Sequence, residues 1–287
     1  MASDPLNEAA LFQSFDEHVA RHNVIYDAAQ RVIPYTAGTF QVIFIVTSAL
    51  DNKPEYGSSA ASSDEGLVPG SDISFFGYEV CDIGTTHIVA FNKFAYIRPH
   101  LLLLTKDGYK RQNLALEETD VDALWTTLNR VDAKGSWMGI YNCGKDGGCS
   151  RVHRHMQLSP VPNKPDGTPF VLFHDEGEGV ARTLPFKYFL HRLSETSTAK
   201  EIFSSYVSLL AETKAILGSD MESCPHNVVL TKRWILVIPR RKGGIEALGF
   251  NSHGLMGIIA LKSEEDHEKW MSLLSHIETT EQKANNL

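Results

Sequence analysis

His153, His155 and Gln157 close the stretch NCGKDGGCSRVHRHMQ, residues 142–157. Side chains on a strand alternate between faces. A strand over Arg151–Ser159 therefore projects these three to one side, and Val152, Arg154, Met156 and Leu158 to the other. Two imidazoles and an amide on one face are costly to bury without partners, so the sheet must offer them to a ligand, a metal or water. Just upstream, Gly144, Gly147 and Gly148 lead into Ser150. Such a loop can turn backbone N–H groups toward an anion, and the serine adds a hydroxyl donor. An anion nest beside a histidine points to attack on phosphorus, because imidazole, with an ordinary pKa of about 6.5, is a good nucleophile near neutral pH.

Three readings compete. The plainest is a solvated glycine turn with histidines satisfied by hydrogen bonds. The second is zinc held by Cys143, Cys149, His153 and His155, although Cys-x5-Cys-x3-His-x-His matches none of the strong zinc patterns. The third is nucleophilic catalysis on a phosphate, favoured because the loop, the serine, the second histidine and the glutamine fall in one short run.

The elements that must position these residues alternate along the chain. A helical pattern runs from Leu6 to Val32, and FQVIFIVT, residues 40–47, is a buried strand by its β-branched and aromatic content. Ser58–Gly66 is small and polar and predicts a loop. Strands follow at His87–Ala95 and His100–Thr105, joined by a turn at Pro99. A helix spans Glu117–Val131, a strand Trp137–Tyr141, and a glycine-rich loop Asn142–Gly148. Pro160–Glu178 reads as a surface loop, Phe186–Leu193 as a strand and Thr198–Leu217 as an amphipathic helix. Strands at Asn227–Thr231, Trp234–Pro239 and Gly254–Leu261 precede a helix over Glu264–Ile277 and a polar tail. Short connections between neighbouring strands imply mostly antiparallel pairing, hence an α+β class with helices packed on an antiparallel sheet.

The 287 residues are 43% hydrophobic and 22% charged, an ordinary globular composition. The net charge of −8 argues against a dedicated nucleic-acid binder. No apolar run is long enough to span a bilayer, and acidic residues stand where a signal peptide has basic ones. Four scattered cysteines do not make a disulfide scaffold, so a cytoplasmic home, with the nucleus as a second compartment, is expected. The basic run Arg240–Lys242, with Lys232 and Arg233, reads as a solvated turn. Cys143 and Cys149 read as small packing residues, and Trp137 and Trp234 as core.

GGCSRVHRHMQ resembles the active-site segment of the histidine-triad superfamily, in its His-x-His-x-Gln branch of nucleotidyl transferases. Within that branch the chain is similar to the fungal diadenosine tetraphosphate phosphorylases, also called ATP adenylyltransferases. SALDNKP (48–54), FNKFAYIRPHLLLLT (91–105), HNVVLTKRWILVIPRRKGG (226–244) and LGFNSHGLMGIIALK (248–262) resemble further segments of that family in the same order.

The resemblance implies a histidine-triad-like, galactose-1-phosphate uridylyltransferase-like fold. It implies an N-terminal catalytic part over 1–170 and a C-terminal part over 171–287, forming one compact unit. It implies that His155 attacks the α-phosphorus of a dinucleoside polyphosphate, releases ATP, and passes AMP to phosphate as ADP. One ring nitrogen of His155 would be held by a main-chain carbonyl, His153 would orient the strand and its neighbour, and Gln157 would donate to a phosphate oxygen. Asn142, Gly148, Cys149, Ser150 and Arg151 would line the phosphate path. Lys53, Asn92, Lys93, Asn251, Ser252, His253, Ile258 and Lys262 match substrate-contact positions. Arg151 stands where the family commonly has glutamine, Ser48 where it often has proline, and Ile258 where it frequently has methionine. No protein-bound metal or cofactor is expected, though a divalent cation such as magnesium can accompany the polyphosphate. A monomer without nucleic-acid or membrane partners is expected. Alternatives are a related transferase with another acceptor, or a nucleotide-binding protein without turnover.

Overall fold

The computed structural model describes residues 4–37, 40–53, 67–131, 134, 136–172, 184, 186–218, 224–245 and 248–284. The loop expected at Ser58–Gly66, the end of the Pro160–Glu178 segment and the last residues of the tail lie outside them.

The elements in chain order are α1 (Glu8–Ala20), β1 (Ile25–Tyr26), β2 (Arg31–Ala37), β3 (Phe40–Val46), β4 (Glu79–Ile83), β5 (His87–Phe91), β6 (Phe94–Ala95), β7 (Leu101–Thr105) and α2 (Glu118–Val131). There follow β8 (Trp137–Cys143), β9 (His155–Pro160), β10 (Phe189–Arg192), α3 (Ala199–Leu217), β11 (His226–Leu230) and β12 (Trp234–Pro239). The chain ends with β13 (Gly244–Ile245), β14 (Leu248–Gly249), α4 (Ser252–Leu255), β15 (Ile258–Leu261) and α5 (Glu264–Ala284).

An eight-stranded sheet in the order β10-β12-β11-β8-β9-β7-β5-β4 forms the centre, with every neighbouring pair antiparallel. Strands from before and after residue 170 share it. The α+β expectation therefore holds. Alternation along each strand builds two apolar layers. Trp137, Tyr141, Met156, Leu158, Val228 and Val237 face one layer with Leu11, Phe15, Val121, Leu124, Ile202 and Tyr206 of α1, α2 and α3. Met138, Ile140, Val229 and Trp234 face the other, with Ile43, Ile45, Leu255 and Ile258. A three-stranded sheet, β15-β3-β2, supplies that second layer, and β15 runs parallel to β3. By the same alternation His155, Gln157, Asn142 and Asn227 point toward the second layer, where the C-terminal segment meets the central sheet.

Several boundaries differ from the sequence expectation: His87–Ala95 divides into β5 and β6, β8 runs on to Cys143, β10 shortens to Phe189–Arg192, α5 runs on to Ala284, and three further departures have a visible cause. The first helix stops at Ala20 because His22 takes a positive φ of 59° and the amides of Asn23 and Val24 fold back on His18 O. Val24, Ile25 and Ala28 therefore leave the helix, and β1 pairs with β6. The strand that carries the His-x-His-x-Gln motif starts at His155, not Arg151. The amides of Val152 and His153 are taken by the Asp72 carboxylate at 2.8 and 2.9 Å, which displaces the sheet ladder there. Gly254–Leu261 is not one strand. Asn251 caps the short α4, Gly257 turns the chain at φ +86°, and only Ile258–Leu261 is extended. A Cβ at Gly257 would come within 2.3 Å of Gln41 O, so the close passage onto β3 needs glycine there.

Candidate active site

His155 is buried on the first residue of β9. Its Nδ1 lies 2.8 Å from His153 O, so Nδ1 carries the proton and donates. Burial pushes its pKa down to about 4, with the nearby His153 and Lys53 charges in the same direction and the bond to the His153 carbonyl opposing. The ring is thus neutral at pH 7. Among the described residues Nε2 has no protein partner. Its backbone is clamped by one side chain: Gln112 Oε1 accepts from His155 N at 2.7 Å, and Gln112 Nε2 donates to His155 O at 3.0 Å.

His153 is fully buried, with Nδ1 2.7 Å from Ser71 Oγ and Nε2 2.9 Å from Thr105 Oγ1. Both ring nitrogens are occupied, and its carbonyl is the group that orients His155. Between them Arg154 turns to the opposite face and pairs with Asp120 at 2.8 Å and Glu117 at 2.9 Å. Gln157 Oε1 accepts from His100 Nε2 at 2.9 Å, which leaves its amide NH2 as the available donor. Asn92 lies behind, with Nδ2 3.4 Å from His100 Nδ1.

The glycine loop is not the backbone anion nest expected from its composition. The N–H groups of Gly147, Gly148 and Cys149 turn inward onto Gly144 O, Lys145 O and Gly144 O. A positive side chain lies beside it, since Lys53 lines the same pocket as Gly148 and Cys149. Lys53 is half-buried, and its pKa falls to about 8 through burial and the charges of Arg151 and Lys262. Among the described residues neither Lys53 nor Lys262 has a carboxylate partner, so these two lysines are available to an anion. Half-buried Ser150 stands beside Arg151, whose Nη1 donates to Ser150 O at 3.0 Å.

A pocket of about 210 Å³ opens beside these groups. It takes Lys53, Gly148, Cys149, Asn251 and Ile258 from the expected set, and adds Leu50, Tyr96 and Phe250, which lie in the quoted segments but were not among the expected site residues. Asn142, Ser252 and His253 sit behind its wall. Asn142 Oδ1 accepts from Asn227 Nδ2, Ser252 N and Ser252 Oγ at 2.7, 2.9 and 2.7 Å. His253 is fully buried, with Tyr96 Oη 2.6 Å from Nδ1 and Ser159 Oγ 3.2 Å from Nε2. Lys93 is exposed, and its carbonyl accepts from Ile25 N; it does not line the pocket.

Arg240 is a correction to the solvated-turn reading. It is buried, donates to Asn227 Oδ1 at 2.6 Å and to Phe250 O at 3.1 and 3.2 Å, and lies over the Phe250 ring. Asn227 in turn donates to Gly147 O at 2.7 Å. These buried bonds tie the glycine loop to the C-terminal segment and hold the two walls of the pocket together. Cys143 and Cys149 are buried, and burial pushes their thiols up to about 12 and about 11, so both are inert packing residues.

Residues 70–172 match the family model described as Ap4A phosphorylase N-terminal domain, and residues 182–281 that of the ATP adenylyltransferase C-terminal domain. Together they take in well over half of the chain. Two proteins of Saccharomyces cerevisiae are similar. Protein APA1 is 28% identical over 248 residues, 77% of this chain and 75% of that protein. Diadenosine 5',5'''-P1,P4-tetraphosphate phosphorylase 2 is 27% identical over 267 residues, 82% of this chain and 80% of that protein. The crystal structure of yeast Ap4A phosphorylase Apa2 in complex with Ap4A superposes with a TM-score of 0.73 at 22% identity, covering 95% of this chain and 94% of that one. The Apa2 complex with AMP gives 0.71 at 24% identity, covering 95% and 93%. The fold is shared across nearly the whole length.

Proposed function

The chain belongs to the Ap4A phosphorylase family, and from that membership we propose that it cleaves diadenosine tetraphosphate with inorganic phosphate to ATP and ADP. The observation that carries this reading is the state of His155. It is a neutral imidazole, its proton fixed on Nδ1 by the His153 carbonyl and its Nε2 without a partner among the described residues, within the field of Lys53, which in turn feels Arg151 and Lys262.

In the first step the Nε2 lone pair forms a bond to the α-phosphorus. The bond from that phosphorus to the bridging oxygen of the β-phosphate breaks, and its electron pair leaves with ATP. Burial favours the neutral form of His155, so no proton has to be removed before attack. The cations offset charge that develops on the phosphate oxygens in a site partly shielded from water. The Gln157 NH2, directed by the bond from His100, donates to a non-bridging oxygen. In the second step a phosphate oxygen attacks the adenylyl-histidine, the N–P bond breaks, and ADP leaves with His155 neutral again.

Magnesium, where present, enters as part of the polyphosphate substrate and balances its charge. A monomer in the cytoplasm, with the nucleus as a second compartment, suits this reading. Free cysteines accord with a reducing compartment. Among the described residues no helix is long and apolar enough to cross a membrane.

The test is product analysis with the purified protein. ATP and ADP in equal amounts from Ap4A, dependent on phosphate, are expected. Without phosphate, one equivalent of ATP should be released and an acid-labile adenylyl group should remain on His155. Two molecules of ADP, or products independent of phosphate, would overturn the reading.

A further inference from the structure

The antiparallel ladder between β8 and β9 runs from the Trp137–Pro160 pair to the Ile140–Gln157 pair and stops there. Continued in the same register, it would set Asn142 opposite His155. At that point a side chain that belongs to neither strand stands between them, the buried amide of Gln112. Its Oε1 accepts from His155 N at 2.7 Å. Its NH2 donates to His155 O and to Asn142 O, both at 3.0 Å. Both amide protons and the carbonyl oxygen are thereby used. The main chain of Gln112 is fixed in turn. Its N–H donates to Val152 O at 2.9 Å, and its carbonyl accepts from Gly144 N and Tyr141 Oη, each at 2.9 Å.

An amide in the place of a ladder sets a spacing. It holds the backbones of His155 and Asn142 apart while fixing each to the same nitrogen. Asn142 Oδ1 in turn holds Ser252 N and Ser252 Oγ, beside Asn251, which lines the pocket. His155 and the C-terminal wall of the pocket therefore share one reference point, the Gln112 NH2 between two carbonyls. The bond from His155 Nδ1 to His153 O fixes the rotation of the ring, and Gln112 fixes the backbone from which the ring projects. For a displacement at phosphorus such placement matters, since about 1 Å of misplacement costs about a hundredfold in rate.

We propose that Gln112 is a positioning residue for adenylyl transfer. By filling the opened ladder between β8 and β9 it sets where the His155 ring stands relative to a phosphate held against the C-terminal wall, and so governs kcat with little effect on KM. The assignment rests on the phosphorylase reading above. A residue that merely joined the two strands would change the amount of folded protein and leave the turnover of each folded molecule as it was.

The test is the pH dependence of kcat and KM for Ap4A in Gln112→Glu and Gln112→Met, with rates referred to folded protein by a thermal melt. In Gln112→Glu an oxygen replaces the NH2 and faces the carbonyl oxygens of His155 and Asn142. Burial and this repulsion raise the new carboxyl above its ordinary pKa of about 4.3. Ionised, it opens the clamp; protonated, it donates to one of the two carbonyls again. Burial moves the neighbouring groups away from neutrality: His153 and His155 down, the latter to about 4, and Tyr141 and Cys143 up, the latter to about 12. Arg154 is held by Asp120 and Glu117, and Asp72 by the amides of Val152 and His153. At high pH kcat of Gln112→Glu should fall about a hundredfold with KM nearly unchanged. Relative to wild type it should recover about fivefold as the pH is lowered through the range of the new carboxyl, the worth of one hydrogen bond. Gln112→Met, of similar length and without the amide, should show the loss and no recovery; should it fold poorly, Gln112→Glu decides. A kcat per folded molecule equal to wild type, or a loss in Gln112→Glu indifferent to pH, would overturn the positioning role and leave the phosphorylase reading intact. A wild-type protein that releases no ATP from Ap4A would overturn that reading and the positioning role with it.

Discussion

His100 Nε2 lies 2.9 Å from Gln157 Oε1, and this one bond fixes which end of the Gln157 amide is free. Burial pushes the His100 pKa down to about 3, so the ring is neutral and carries its proton on Nε2. Asn92 Nδ2 stands 3.4 Å from the other ring nitrogen, which can only accept. The order Asn92, His100, Gln157 thus ends in an NH2 with no protein partner among the described residues. Gln157 is a donor because of the residues behind it, His100 and Asn92.

Replacing His155 by Ala should abolish adenylyl transfer while the fold persists. The ring is held at Nδ1 by a local carbonyl, so its loss removes few tertiary contacts. A missing covalent nucleophile costs at least about a thousandfold in turnover. Single-turnover release of ATP, read beside a thermal melt, checks this; retention of about a tenth of wild-type turnover would sink the assignment.

The acid limb of the rate should fall near pH 4 rather than near 6.5. The reacting form of His155 is the neutral ring, and burial holds its pKa at about 4. Activity is therefore kept as pH falls through the ordinary histidine range and lost only below about 5. Stability moves first. His155 and His226, both pushed down to about 4, stay neutral in the folded state while the unfolded chain takes up protons below about 6.5. The unfolded state then binds more protons, so the melting temperature should decline between about pH 6.5 and 4. A rate profile that bends near 6.5 in protein that has not begun to melt would contradict the burial argument.

Lys53→Ala should weaken binding of Ap4A more than of AMP. Lys53 is one of three cations around the site, and its charge has no carboxylate partner among the described residues. A lost charge-assisted hydrogen bond costs about 1.5–3 kcal/mol, roughly ten- to hundredfold in affinity. Calorimetry with both ligands, using the His155→Ala background to prevent turnover, reads the difference. Equal losses would place Lys53 against the nucleoside, not the phosphates.

Some of this arrangement was legible in the sequence and some was not, for identifiable reasons. The amphipathic pattern over Thr198–Leu217 placed α3 to within a residue, and the structure adds a capping box of Thr198 and Glu201 at its start. Trp234–Pro239 is an apolar run of strand length, and it is the observed β12. The carbonyl partner of His155 is two residues away and could be anticipated. The bonds of Asn142 to Asn227 and Ser252 span 85 and 110 residues, beyond the reach of any local pattern. Arg240 sits in a basic run that resembles a solvated turn, and only the register of β11 beside β12 brings Asn227 within its reach. The loop glycines signalled a tight turn, and not the direction of their N–H groups.

Gly148→Ala should damage the pocket without touching a reacting group. Gly148 has φ +82°, and a Cβ there would stand 2.8 Å from Phe250 O and 3.1 Å from the Asn251 Cα. The neighbours are backbone and cannot swing aside, so the loop must move away from Phe250 or leave its conformation. The strain is about 1–3 kcal/mol. The expected outcome is a rise in KM of about tenfold or more with a smaller fall in kcat. Unchanged KM would show that the spacing of the Gly148 and Asn251 walls is not critical.

Gln157→His should shift the balance from phosphorolysis toward hydrolysis. On the proposed mechanism the amide donates to phosphate oxygens and supplies no titrating proton at neutral pH. The proposed adenylyl-histidine would then persist until phosphate enters near Arg151 and Lys53. An imidazole at 157 would accept the His100 Nε2 proton on one nitrogen, in place of Gln157 Oε1, and present the other to the intermediate. That second nitrogen can exchange a proton with water near neutrality, and general acid–base help is worth about 10²–10⁴-fold. Water can then compete with bound phosphate. If Gln157 merely holds the strand, the substitution lowers every rate together. The measurement is the rate of AMP release from Ap4A without phosphate, divided by the rate of ADP formation with phosphate present. A ratio that does not rise in the variant would mean that the residue at 157 does not choose between water and phosphate.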